Sequence, residues 1–511
     1  MLEFKNVSIY IKKNDRPLIE DFNFVLSEGD KFAIIGEEGN GKSTLLKIIY
    51  NEKLIKDYCY FKGEIIKRDS KIGYLKQFID SAWYDNYVHE FFLKENPEDE
   101  IDYNKYNELS EIMAILSELN IDTDILDNDQ KIGTLSGGEK VKIQLAKIIS
   151  NKPDILLLDE PTNDLDITTL EWLEEFILNT KLPLLFISHD ETILENVSTG
   201  IIHIEQLKRK RESRHVIEHV NYKEYVDLRI NKKVKQDQLA SNEIREFKEE
   251  RKVLKQLKNK VQQANPGRTN RMNSLLSQEK KLENKELTNK FEVEEVINIK
   301  VNDEVSLPNG KKVIDFKLDE LKINNKLLSE NIHLVVSGPK KIGIIGDNGI
   351  GKTTLLNKIY DEINNVESLK LGYMPQDYSK LIDMEISPVS FLSSTFSKEE
   401  QTQIRTFMGS MKFTYEEMES KIKDLSGGQI AKLFILKMMI SECNVLILDE
   451  PTRNLSPLTN PAIRRVLREF NGAIISVSHD RKFLEEVCDD IYELGKSGIF
   501  LTSLDKRKKN N

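Results

Sequence analysis

Short apolar runs recur along the chain, each followed by a segment whose apolar positions are three and four apart. The run Lys31-Phe-Ala-Ile-Ile-Gly36 precedes Thr44-Leu-Leu-Lys-Ile-Ile-Tyr50, and the run ending at Gly346 precedes Thr354-Leu-Leu-Asn-Lys-Ile-Tyr360. Runs of the first kind predict buried strands, and the segments after them predict helices. The further runs ILLLDE, ending at Glu160, and VLILDE, ending at Glu450, also read as strands. The alternation predicts an α/β fold, and it is present twice.

Spacing separates a duplication from coincidence. IGYLKQ ends at Gln77 and LGYMPQ at Gln376; LSGGE begins at Leu135 and LSGGQ at Leu425; FISHD carries His189 and SVSHD carries His479. From Leu135 to Asp159 and from Leu425 to Asp449 the interval is 24 positions, and from each Asp to its His it is 30. Between Gln77 and Leu135 there are 58 positions, against 49 between Gln376 and Leu425, which predicts an inserted arm in the first copy within about 78–134.

Between the copies the pattern changes. Over 206–297 Gly and Pro are absent except in Asn265-Pro266-Gly267, and the apolar residues Phe247, Leu254, Leu257, Val261, Met272, Leu275 and Leu282 form a narrow helical stripe. Such a stripe suits the seam of an antiparallel two-helix linker with a tip at about 262–272. A run of about 40 helical residues reaches about 60 Å, so the linker should project. The expected organisation is 1–205, a first nucleotide-type domain; 206–297, the linker; and 298–511, a second domain with a short basic tail.

Composition changes this picture only in its charge. The 511 residues carry 75 Lys+Arg and 85 Asp+Glu, a net charge of -10 that argues against a nucleic-acid partner. The linker alone, however, holds 23 basic and 15 acidic residues, leaving 52 and 70 elsewhere. A projecting basic hairpin on an acidic body is the distribution expected of an RNA-seeking linker. No segment approaches the about 18 apolar residues of a membrane span, and the start lacks a signal-peptide pattern, so a cytoplasmic protein is expected. Cys59, Cys443 and Cys488 stand too far apart for a zinc or disulfide pattern.

The chemistry lies in the repeated motifs. Gly36-Glu37-Glu38-Gly39-Asn40-Gly41-Lys42-Ser43 and Gly346-Asp347-Asn348-Gly349-Ile350-Gly351-Lys352-Thr353 each join a strand to a helix. Glycines there turn backbone N–H groups towards a phosphate, the lysine reaches its outer oxygens, and the hydroxyl ligates magnesium. Asp159 and Asp449, ending apolar strands, suit magnesium, while Glu160 and Glu450 are candidate bases that polarise water. Gln77 and Gln376 suit sensing the terminal phosphate or its metal, and His189 and His479 suit hydrogen bonding to it. Tyr10 reads as a strand residue rather than as a base-stacking one.

The LSGGE and LSGGQ segments complete a resemblance to the ATP-binding cassette ATPases. The resemblance implies two tandem P-loop cassettes paired head to tail within one chain, binding ATP and Mg2+ at two composite sites. The first would join Gly36, Gly39, Asn40, Gly41, Lys42, Ser43, Thr44, Gln77, Asp159, Glu160 and His189 to Ser426, Gly427 and Gly428. The second would join Gly346, Gly349, Ile350, Gly351, Lys352, Thr353, Thr354, Gln376, Asp449, Glu450 and His479 to Ser136, Gly137 and Gly138. Metal ligands would be Ser43, Gln77 and Asp159, and Thr353, Gln376 and Asp449.

Two fused cassettes, a helical-pair linker and no membrane segment resemble the ABC-F proteins. The resemblance implies a monomer that binds the ribosome at the exit (E) site of the large subunit, with its linker near rRNA and the P-site tRNA. Tip residues Gln263, Asn265, Pro266, Gly267, Arg268 and Arg271 would make that contact. The loop after the candidate base reads Asn163-Asp164-Leu165-Asp166 in the first copy but Arg453-Asn454-Leu455-Ser456-Pro457-Leu458 in the second. The second resembles the antibiotic-resistance branch of the Vga and Lsa type, implying protection of the ribosome against lincosamide, pleuromutilin and streptogramin A drugs. A housekeeping translation factor and an efflux ATPase subunit are the alternative readings. Ser456 in place of Asp removes a charge from the cassette interface, which predicts asymmetric sites.

Overall fold

A computed structural model describes residues 2–101, 109–126, 130–207, 212–264, 270–283, 307–308, 310, 312–323, 326–364, 366, 369–378 and 381–504. Each copy is built on a six-stranded sheet. In the first the order is Ile72–Leu75, Ile155–Asp159, Leu184–Ile187, Lys31–Ile35, Gly200–Leu207 and Glu212–Glu218. The second repeats it with Leu371–Met374, Val445–Asp449, Ala473–Val477, Lys341–Ile345, Asp490–Gly495 and Gly498–Thr502. The last strand of each sheet runs antiparallel to its neighbour, and the others run parallel.

The parallel strands are buried on both faces, which is why they read as unbroken apolar runs rather than alternating ones. Ile155, Leu156, Leu157 and Leu158 are fully buried, as are Leu446, Ile447 and Leu448. The helices Lys42–Tyr50 and Lys352–Ile363 cover one face, and antiparallel strands lie against the same cores: Leu2–Ile11, Arg16–Leu26 and Cys59–Ile66 in the first copy, Lys312–Ile323 and Lys326–Ser337 in the second. In both sheets a single strand separates the strand carrying the acidic pair from the strand that feeds the phosphate-type loop, so the two meet at the same sheet end.

The segment of unequal length is helical in both copies. It holds Val88–Leu93 and Leu109–Glu118 in the first, and Pro388–Leu392, Lys398–Ser410 and Tyr415–Glu419 in the second. In the first it has an apolar core of its own around Trp83, Phe91, Ile112 and Leu116.

By their contacts the chain divides into two units, one holding both copies and the other spanning Lys223–Val293. Within the second, helices Tyr222–Ala264 and Asn270–Glu283 are tied by an ion pair of 2.6 Å between Lys258 and Glu279. Leu275 and Leu282 of the expected stripe are buried, whereas Leu257 is 37% exposed. Gln263 and Arg271 are exposed at the helix ends; Asn265, Pro266, Gly267 and Arg268 lie outside the described residues. Among the described residues no helix is long and apolar enough to cross a membrane.

Candidate nucleotide sites

Each phosphate-type loop leaves its strand through a glycine that nothing else can replace. Gly36 has φ of 146°, and a Cβ there would stand 2.2 Å from the Ile204 carbonyl oxygen. The loop can therefore lie against the neighbouring strand only without a side chain. Lys42 Nζ bridges back to the carbonyl oxygens of Gly36 and Glu37 at 2.8 and 3.1 Å, and Lys352 Nζ does the same to Gly346 and Asp347, both at 2.9 Å. Two buried ammonium groups are thus held over the loops by backbone carbonyls. Asn40 points the other way, its side-chain amide donating to the Ile204 carbonyl at 3.1 Å, so it braces the loop from behind.

The acidic pairs follow. Asp159 accepts from Ser43 Oγ at 2.8 Å and from Tyr74 Oη at 2.8 Å. Its counterpart Asp449 is 2% exposed; Thr353 lies near, yet neither carboxylate oxygen accepts a hydrogen bond in good geometry. A buried carboxylate with both oxygens unmatched beside a loop hydroxyl suits a divalent cation. Burial raises the pKa of both aspartates.

Glu160 and Glu450 both adopt left-handed backbone, with φ of 51° and 53°. Strain of this kind persists only where surrounding contacts enforce it. Their electrostatics diverge. Burial would raise Glu160, but hydrogen bonding and charge from His189, together with Lys42 and Asn163, hold it at about 2. Glu450 is pushed up to about 8 by burial and then by the charge of Asp449. His189 Nε2 lies 3.6 Å from Glu160, and His479 Nε2 lies 3.7 Å from Glu450. Gln77 adds a 2.7 Å bond to Glu160.

Two cavities of about 390 and 410 Å3 take most of these residues into their walls, although Asp159 lies behind Ser43 rather than in the lining of the first. The first is lined by Lys42, Ser43, Gln77, Glu160 and His189 together with Arg453 and Asn454 of the other copy. The second is lined by Lys352, Thr353, Gln376, Asp449, Glu450 and His479 together with Gly137 and Asp164. Both copies therefore build both cavities, and His189, Asn163 and Arg453 face both at once.

A family model described as "ABC transporter" matches residues 19–163 and 329–453. ATP-binding protein Uup of Buchnera aphidicola (subspecies Acyrthosiphon pisum) is 31% identical, over 97% of this chain and 81% of that protein. The Arabidopsis thaliana protein "ABC transporter F family member 2" is 26% identical, over 94% and 75%. The chain belongs to the ABC transporter family, as an ABC-F-type ATP-binding cassette protein. Its cassettes bind and hydrolyse ATP. In fold it resembles the archaeal ribosome recycling factor aABCE1, solved in complex with the ribosomal stalk protein aP1, with a TM-score of 0.60 at 18% identity over 99% of this chain and 91% of that one.

Several contacts between the two cassettes involve residues that the motifs did not single out. Glu37 crosses to accept from Ser456 Oγ at 3.0 Å and Thr459 Oγ1 at 2.5 Å, and pairs with Lys432 at 3.3 Å. Burial opposes its charge, but Lys432, Thr459 and Ser456 hold its pKa at about 2. Ser456 thus does not leave the ABC-F interface short of an anion, because Glu37 supplies one from the facing loop. Glu38 Oε2 accepts from the Gly428 N–H at 3.0 Å. In the other direction Asn348 donates to Asp166 Oδ2 at 3.3 Å and to the Asp164 carbonyl at 2.6 Å. A signal for Glu37 was present: the second copy loses an acid at Ser456 where the first keeps Asp166.

Ion pairs complete the interface. Arg464 forks onto Glu191 with both side chains buried, Arg481 reaches Glu174 at 2.9 Å and Asp190 at 3.3 Å, Lys482 reaches Glu195, and Arg453 reaches Asp164. Burial outweighs the pull of the Arg464 guanidinium and leaves Glu191 raised to about 7. Arg464 keeps its charge at any working pH and donates to both Glu191 carboxylate oxygens, which favours the ionised pair. With Lys432–Glu37, all these pairs take the cation from the second cassette and the acid from the first.

Proposed function

We propose that this ABC-F ATPase acts on the ribosome, binding the large subunit at the E site as a monomer and protecting it from lincosamide, pleuromutilin and streptogramin A drugs. The observation that carries the ATP-driven part is the pair of cavities walled by both cassettes: a nucleotide held there joins the two halves, and its hydrolysis lets them part. The basic linker supplies the part that meets rRNA and the P-site tRNA, with the tip at about 262–272 remodelling the peptidyl transferase region. Support for a ribosomal target comes from the fold shared with a ribosome recycling factor. The loop Arg453–Leu458 supports the resistance branch over a housekeeping factor.

In this reading Lys42 and Lys352 exchange their loop carbonyls for phosphate oxygens. Ser43 with Asp159, and Thr353 with Asp449, would hold Mg2+, with Gln77 and Gln376 beside them; the cation neutralises charge on the transferring phosphoryl group. Glu160 and Glu450 orient and polarise water, each steadied by His189 or His479. The signature serines and glycines, Ser136 to Gly138 and Ser426 to Gly428, close each site from the opposite cassette. A cytoplasmic location follows from the ribosomal target.

Co-sedimentation of the Glu160→Gln, Glu450→Gln double variant with ribosomes is the deciding measurement. Retention that needs ATP is expected; no retention would overturn the ribosomal reading. Expression in a drug-sensitive host should raise its tolerance, and a Gly/Ser replacement of 262–272 should abolish that gain while leaving ATP hydrolysis intact.

A further inference from the structure

We infer that the Glu38 carboxylate competes with the terminal phosphate of ATP for the signature helix at the first composite site. The inference rests on the composite-site reading above. Helix Gly427–Ile440 begins with N–H groups that have no partner within the helix. Ser426 Oγ serves Gln429 N–H, whereas Gly428 N–H crosses the interface to Glu38. Gly428 is itself irreplaceable, since a Cβ there would meet the Asn454 carbonyl oxygen at 2.6 Å. Glu38 also lines the first cavity. A carboxylate and a terminal phosphate are both anionic oxygen acceptors suited to a helix N-terminus, so each excludes the other from this donor.

The second site has no such competitor at the matching loop position. There the place of Glu38 is held by neutral Asn348, whose amide is turned to the Asp164 carbonyl. The first cassette's signature helix instead carries its own acid, Glu139, which accepts from Ser136 N–H at 2.7 Å and so turns back onto its own chain. In the second cassette that position is neutral Gln429. Each signature helix therefore has one carboxylate at its positive end, supplied by its own chain segment in one case and by the facing loop in the other. Only the latter stands where nucleotide must enter. Glu37 does not share this role, being turned away onto Ser456, Thr459 and Lys432. ATP should accordingly fill the second site first, while ADP, which lacks the third phosphate, should ignore Glu38.

The test uses the full chain carrying Glu160→Gln and Glu450→Gln to stop hydrolysis and Lys352→Ala to leave the first site alone. Adding Glu38→Asn, the residue of the second copy, should tighten ATP binding by about tenfold, the worth of one charge-assisted hydrogen bond, with ADP binding unchanged. Glu38→Gln, which keeps the side-chain length, should act likewise. Unchanged ATP affinity in both variants would overturn the inference; so would equal tightening of ADP, which would mark general repulsion of phosphate. Ser426→Arg in the same background separates the two readings. If it weakens ATP binding while Glu38→Asn has no effect, only the competition fails; if it too has no effect, the composite site fails.

Discussion

At the scale of single residues, the two cassettes differ in how they manage buried carboxylates. Glu37 is ionised because a hydroxyl pair and an ammonium from the other cassette meet it. Its pKa is depressed from 4.5 to about 2, so its stabilisation is fully present above pH 4.5 and is lost as pH falls towards 2. At most this amounts to about 3 kcal/mol. Unfolding midpoints of the native chain should fall across that window more steeply than those of Glu37→Gln; parallel curves would refute the assignment. Ser456→Asp should lower stability at neutral pH by setting two carboxylates face to face, and Glu37→Gln should recover most of the loss. For the candidate bases the divergence runs the other way. Glu450, pushed up to about 8, gains its charge as pH rises, whereas Glu160 is charged throughout. In the nucleotide-free chain, native stability should therefore fall relative to Glu450→Gln as pH rises from 4.5 to 8, while no such fall should separate it from Glu160→Gln in that window. Equal slopes would remove the asymmetry.

Among the elements, the phosphate-type loops show what the sequence could and could not reveal. Strand, loop and helix were legible because apolar runs and glycines leave a local pattern, and the 24- and 30-position intervals matched the two copies motif by motif. A Cβ at Gly36 should abolish nucleotide binding at the first site and cost about 2 kcal/mol or more of stability. Gly36→Ala measured by ATP titration and by unfolding checks this, and an unchanged first site would refute it. What the pattern missed is the direction of non-glycine side chains within the loop. Glu37 and Glu38 adjoin in sequence, yet one meets Ser456 and the other Gly428, both about four hundred positions away in a chain of 511. No periodicity encodes such a contact. Its trace is only that an acid stands at Glu38 where the second copy has Asn348, and that one is lost at Ser456 where the first copy has Asp166. The Asn40 side chain likewise finds its partner, the Ile204 carbonyl, on a neighbouring strand that the loop motif does not contain.

For the whole molecule, the interface is held by protein contacts as well as by the cavities. The Arg464–Glu191 pair is buried, so removing one partner should be severe. Arg464→Met should destabilise the chain by about 3–5 kcal/mol, and the Glu191→Leu, Arg464→Met double variant should restore much of it, because the cost lies mainly in an abandoned charge. Urea unfolding of the native chain and both variants checks this; equal loss in the single and double variants would contradict it. The one-way polarity of these pairs has another consequence. Two identical cassettes set head to tail would be interchangeable, and either would accept a copy of itself. Here Glu174 and Glu191 of the first cassette stand at the positions that Arg464 and Arg481 hold in the second, so a second copy of the first cassette would set glutamate against glutamate, and a second copy of the other would set arginine against arginine. Divergence after duplication has thus written a partner code into the seam, under which each half rejects its own likeness and accepts only its sibling.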